Sequence, residues 1–152
     1  MNATTPLCED VYHAYCQTLY QVTLPTRAFT LRVGVRHPAF DEALRDHHTQ
    51  TWGFITAANP RSEITAAPLN QARHAQLCAV IKEAGYPMFP GWGIPQNNDW
   101  DPEQSLCIFG IQSENLRKLG IQFEQNAVVF GALAHPAQFL WCLATPPSTH
   151  TA

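Results

Sequence analysis

The residues that could do chemistry stand at the borders of apolar runs. Asn59 and Arg61 follow T-W-G-F-I-T (51–56), Glu103 stands two residues ahead of S-L-C-I-F-G-I, and Gln125-Asn126 precede A-V-V-F. A carboxylate at the edge of a core strand is a candidate general acid or base, because burial raises its pKa; an adjacent arginine would oppose that shift. The plainer role for Glu103 is to neutralise Arg73. Arg61, Arg73 and the start of the helix near Leu69 could together hold an anion, since free N–H groups and the helix dipole favour negative charge there. Asn59, Asn70, Gln125 and Asn126 would orient such a ligand, and Glu103 is the candidate catalytic group.

Other chemistries find little support. The chain has no G-x-G-x-x-G, no G-x-x-x-x-G-K-[ST], no H-E-x-x-H and no G-x-S-x-G. His47-His48 are adjacent and point apart on a helix, so no metal site is expected, and no cofactor. The five cysteines are widely spaced with no C-x-x-C. Cys78 and Cys107 read as small core residues, and an inert thiol is the better reading of Cys107.

These side chains need elements to position them. Trp52, Phe54, Ile55 and Thr56 are aromatic or β-branched, with apolar residues on both parities, as in a central strand covered on both faces. Asn59-Pro60 stops it, with the residue before proline biased toward extended backbone. Leu69–Ala84 is the longest helical pattern, preceded by Pro68 and stopped by Gly85. Its stripe of Leu77, Val80, Ile81 and Ala84 continues back through Arg73 and Asn70, so the inward face opens polar. Buried groups of that kind need partners. Arg73 could snorkel past the core, pair with Asp101 or Glu103, or serve a pocket.

Before this, the spacing predicts a helix over Glu9–Leu19, a hairpin of Tyr20–Leu24 with Ala28–Val35, and a helix over Pro38–His48. Tyr86–Asp101, rich in proline, glycine and asparagine, reads as a long functional loop; Trp92 and Trp100 would form a stacking lid, a partner surface or a simple fastening. Ser105–Ile111 and Ala127–Phe130 read as buried strands joined by a helix that Ser113 caps and Gly120 ends, a candidate β-α-β unit. Ala137–Leu143 is expected to pair antiparallel with the preceding strand.

Composition bounds the rest. The 152 residues are 45% hydrophobic and 14% charged, which fits one compact domain over residues 1–145 with a loose tail at 146–152. A net charge of −3 gives no basic footprint for nucleic acid. No apolar run approaches a membrane span, and the N-terminus lacks a signal-peptide pattern, so the expected location is cytoplasmic. The expected fold is α+β: a mixed sheet of about five or six strands with helices mainly on one face.

The chain resembles the bacterial domain-of-unknown-function family 3293. The resemblance is carried by W-G-F-I-T-A-A-N-P-R-S (52–62), L-N-Q-A-R (69–73), F-P-G-W-G (89–93), W-D-P-E-Q-S-L-C-I-F-G-I (100–111) and F-E-Q-N-A-V-V-F-G (123–131). Ala58 and Glu124 depart from it, the second standing where glycine is usual. It implies that these polar positions belong to one architecture and supplies no activity. Two functions are therefore expected in competition: a pocket for a small anionic or nucleotide-like molecule, or a non-catalytic protein-interaction module whose polar border residues only knit strand ends together.

Overall fold

Nine strands and four helices form among the described residues. In the computed structural model, which describes residues 4–96 and 100–147, they run β1 (Thr5–Pro6), α1 (Glu9–Gln17), β2 (Leu19–Thr23), β3 (Ala28–Leu31), α2 (Pro38–Asp46) and β4 (Thr51–Thr56). A short 3₁₀ turn (Pro60–Ser62) leads to α3 (Ala67–Ala84), β5 (Met88–Ile94), β6 (Glu103–Phe109), α4 (Ser113–Gln122), β7 (Ala127–Ala132), β8 (Gln138–Trp141) and β9 (Ala144–Thr145). Asn97, Asn98 and residues 148–152 of the expected tail lie outside the described residues. No described helix is long and apolar enough to cross a membrane.

The α+β class is as expected, with a larger sheet. Seven strands lie in the order β3-β2-β5-β6-β4-β7-β8, and each neighbouring pair is antiparallel. Among the described residues, parallel pairing is confined to β1 with β9 and to a single bridge between Val33 and Ala137. The β6-α4-β7 crossover does join two strands of the same direction, but β4 lies between them and pairs with both. The β2–β3 and β7–β8 hairpins form as the alternation predicts.

The extra strand is β5, which occupies most of the segment read as a loop. Its prolines and glycines suggest breaks, yet Pro90 sits opposite Leu106 and Gly91 opposite both Ser105 and Val22. Gly91 is needed for packing: a Cβ there would come within 2.7 Å of the Phe54 ring and 2.8 Å of the Gln21 carbonyl. Two boundaries also shift. Ser113 is the first residue of α4 and makes no capping bond, and Gly120 lies inside the helix, where the Cys142 thiol packs against it.

The bridge between the segments following β3 and preceding β8 shapes the whole sheet. Gly34 donates its N–H to the Ala137 carbonyl at 2.7 Å, and Ala137 donates to that of Val35 at 3.2 Å. Because the sheet's two edges meet, it must curl and enclose one face. Helix α2 plugs that inner face: Phe40 packs edge-on against Phe29, Trp52 and Phe109 at 5.1–5.8 Å. Helices α3 and α4 cover the outer face, placing Leu77, Ile81 and Leu116 against Ile55, Leu106, Ile108 and Val128. Helices therefore lie on both faces, because apolar residues of both parities in β4, β6 and β7 must be covered.

Gly131 of β7 lies flat beneath the buried Trp52 indole, and a Cβ there would overlap the ring. Gly131→Ala should cost about 1–3 kcal/mol, the usual penalty of overpacking, read from urea unfolding midpoints.

Candidate functional site

Inner-face residues shrink along the sheet. At the α2 end they are Trp52, Phe89 and Phe109; toward the carboxyl end of β4 they become Gly93, Ser105 and Ala127. Side chains of that size cannot fill the curl, and a cavity of about 110 Å³ remains. Tyr20, Phe54 and Phe139 form its apolar walls, while α1 lies over it through Val11, Ala14 and Tyr15. Tyr15 is held by the aromatic side chains of β8, 6.1 Å from Phe139 and parallel to Trp141 at 6.4 Å. Pro95, Trp100 and Asp101 complete the lining.

Glu103 supplies the cavity's polar end. As the first residue of β6 it continues the inward parity of Phe109, Cys107 and Ser105. Its Oε2 accepts a 2.7 Å hydrogen bond from Asn59 Nδ2. Burial pushes the carboxyl above its usual range, and the Asn59 bond pulls only partly against that. The phenols of Tyr15 and Tyr20 are likewise pushed up by burial, so both stay protonated at neutral pH.

Asn59 is built to hold that bond. Its backbone is left-handed, with φ of 48°, where extended backbone was expected before Pro60. Asn70 of α3 explains the difference. The Asn59 N–H donates to Asn70 Oδ1 at 2.9 Å, and Asn70 Nδ2 returns a bond to Asn59 Oδ1 at 3.0 Å. Thr65 adds a third, its N–H donating to the same Oδ1 at 2.9 Å. With Oδ1 occupied, the amide nitrogen is left to face Glu103. Arg61 and Ser62 are left-handed too, with φ of 58° and 60°. Such backbone costs of order 1–3 kcal/mol per residue and persists only where its surroundings impose it, as at binding and catalytic sites.

Ser62 joins a second polar cluster. Its Oγ shares a 2.5 Å hydrogen bond with the Tyr15 hydroxyl and accepts one from Asn126 Nδ2 at 3.0 Å. Gln125 also lines the cavity, but its amide nitrogen is bound to the Ala58 and Phe123 carbonyls at 3.1 and 3.2 Å. Among the seven residues singled out in the sequence, Glu103, Asn59 and Gln125 thus line one hollow. Asn70 and Asn126 stand directly behind it.

The arginines lie elsewhere. Arg73 donates through Nε to the Ala57 carbonyl and through Nη2 to that of Phe123, both at 2.6 Å, tying the end of β4 to the end of α4. Its third nitrogen reaches the Glu124 carboxylate at 3.5 Å, and the half-exposed Arg61 pairs with the same group at 3.7 Å. Neither lines the cavity, and neither pairs with Glu103. Glu124 takes a left-handed φ of 57°, so the turn before Gln125 forms without a glycine. Asp101 and Glu103 are the lining residues that carry carboxyl groups, and no Lys or Arg joins them among the described residues. The tryptophans do not form one surface: Trp100 lines the cavity, while Trp92 is 43% exposed on the sheet's outer parity.

The aromatic walls were not legible as site residues. Tyr15 sits one turn from Val11 and reads as helix packing.

Two measurements separate the structural from the functional groups. Arg73→Ala should destabilise the protein by about 2 kcal/mol, since charge-assisted bonds contribute roughly 1.5–3 kcal/mol and the Ala57 carbonyl loses its side-chain donor, while Phe123 keeps the Gln125 amide. Glu103 should show the opposite sign. Its folded pKa lies above the unfolded value, so its stabilising contribution is fully present below the unfolded pKa and is lost as pH rises through the folded one. Glu103→Gln cannot ionise, so its stability relative to wild type should rise between pH 4 and pH 8 in urea titrations. A flat difference would mean that Glu103 ionises as freely as in the unfolded chain.

No curated protein and no solved structure matches the chain. A family model described as protein of unknown function (DUF3293) matches residues 55–128, which run from the end of β4 through α3, β5, β6 and α4 into β7. That span, which carries Asn59, Asn70, Arg73, Glu103 and Gln125-Asn126, is similar to the DUF3293 family.

Proposed function

We propose that this protein binds a small organic molecule in the cavity at the carboxyl end of β4, with Glu103 and Asn59 as its polar anchor. The observation that carries this reading is a partly buried carboxyl group with no basic partner among the described residues, held by an amide at the end of an aromatic-walled hollow. A partly desolvated, unneutralised carboxylate costs stability. It is retained where ligand or chemistry uses it.

Size and charge narrow the ligand. A cavity of about 110 Å³ is close to the ~150 Å³ that accommodates one benzene ring, so a single ring or a short chain fits and a whole nucleotide does not. The anion expected from Arg61 and Arg73 loses its support, because both arginines are engaged with Glu124 and backbone carbonyls. Should the ligand carry an acidic C–H or a leaving group, Glu103 is the acid or base, since its raised pKa lets it exchange a proton closer to neutral pH. The five free cysteines fit a reducing compartment such as the cytoplasm.

Gly93 offers a clean test. A Cβ there meets nothing nearer than Ser105 Oγ at 3.9 Å, so Gly93→Leu extends into the hollow. In a thermal-shift panel of metabolites, a ligand that stabilises the wild type should lose its effect in Gly93→Leu and keep it in a surface variant such as Lys82→Gln. A ligand that stabilises both equally binds elsewhere, and the cavity reading fails.

A further inference from the structure

We propose that the cavity takes a small organic cation: a protonated amine or amidine carried on one ring or a short chain. This rests on the reading of the cavity as a ligand site and adds the ligand's charge. Three independent features point to it. Among the described residues, the charged groups at the cavity are carboxylates, Glu103 at the polar end and the solvent-exposed Asp101. Glu103 has no basic partner among the described residues; the two nearby arginines both pair with Glu124 instead. The walls are aromatic on several sides, with Tyr15, Tyr20, Phe54, Trp100 and Phe139 contributing rings.

Each feature acts on a cation in the same direction. A desolvated carboxylate forms charge-assisted hydrogen bonds with N–H donors, and these are shorter and stronger than neutral ones. Ring faces carry negative charge density and attract a cation within about 6 Å. The Asn59 amide occupies one side of Glu103 Oε2 and fixes the carboxylate plane, so the incoming N–H group meets a preset acceptor. An anion of equal size would meet two carboxylates and, among the described residues, no compensating positive charge. A neutral ring would fill the walls but leave the Glu103 charge unanswered.

Three probes of one shape test the charge directly: benzylammonium, benzyl alcohol and benzoate, titrated into the protein and followed by NMR. At pH 7 benzylammonium should bind at least tenfold more tightly than the other two. In Glu103→Gln, with its fold checked by circular dichroism, that advantage should fall to within about threefold. A second arm needs no variant. As pH falls through the raised pKa of Glu103, benzylammonium should weaken while benzyl alcohol does not. The other titratable groups facing Glu103 in the cavity are Asp101 and the phenols of Tyr15 and Tyr20, and the phenols stay neutral throughout.

If benzyl alcohol or benzoate binds as tightly as benzylammonium, the cation inference is overturned and the cavity remains a ligand site. A benzylammonium advantage that survives both Glu103→Gln and acid also overturns it. Should no probe bind while the Gly93→Leu panel yields a cavity-dependent ligand, that ligand's charge decides, and a neutral or anionic one refutes the inference. Failure of both the probes and the panel removes the cavity reading itself.

Discussion

The site depends on the reciprocal bonds between Asn59 and Asn70. One asparagine ends a core strand and the other faces inward from a long helix, and each satisfies polar groups of the other. This exchange holds Asn59 in a left-handed conformation that proline at the next position does not favour. It also decides which side of the amide is free. With Oδ1 taken by Asn70 and Thr65, the nitrogen is directed at Glu103, so the orientation of one side chain sets the hydrogen bonding of the only glutamate at the cavity among the described residues. The strained run continues through Arg61 and Ser62, and Ser62 reaches the hydroxyl of Tyr15 in the first helix.

The hollow itself comes from a mismatch between curvature and side-chain size. A sheet whose edges are bridged by Val33 and Ala137 has an inner face that something must fill. At one end α2 supplies Phe40 and the strands supply Trp52 and Phe109, giving a dense aromatic cluster. At the other end the strands present glycine, serine and alanine, and the overlying α1 contributes no fully buried residue. Close packing is the rule in protein interiors, so a void beside a polar group is a departure that calls for a use. The same protein thus spends its large residues on rigidity at one end and leaves space at the other.

Charge is segregated with equal economy. Arg73 lies on the polar start of the α3 stripe, and its guanidinium fork is matched to two carbonyls at element ends. Glu124 pairs with both Arg61 and Arg73, away from the cavity. Glu103 is left with a neutral amide as its partner. A salt bridge there would have lowered its pKa and occupied the oxygen a ligand needs; the actual arrangement leaves it poised and accessible.

Sequence alone settled the parts governed by local rules. The alternation of Ala28–Val35, the i, i+3, i+4 stripe of α3 and the β-branched run of β4 are properties of consecutive residues, and each element formed on its pattern, though β3 stops at Leu31 and leaves Val33 as a single bridge. The border positions of Asn59, Glu103 and Gln125 were also legible, because polar residues beside buried runs must find partners. Which partners they found was not legible. Glu103 and Arg73 are equally plausible mates by type, and only the placement of α3 on the outer face and Glu103 on the inner parity keeps them apart. The strand Met88–Ile94 escaped for a related reason: proline and glycine break isolated segments, but in the sheet Gly91 is what allows Phe54 to pack against the backbone. The tertiary structure decided the curl of the sheet, the void beneath Tyr15 and the sign of the charge lining it, since all three arise from residues distant in the chain whose meeting no local pattern encodes.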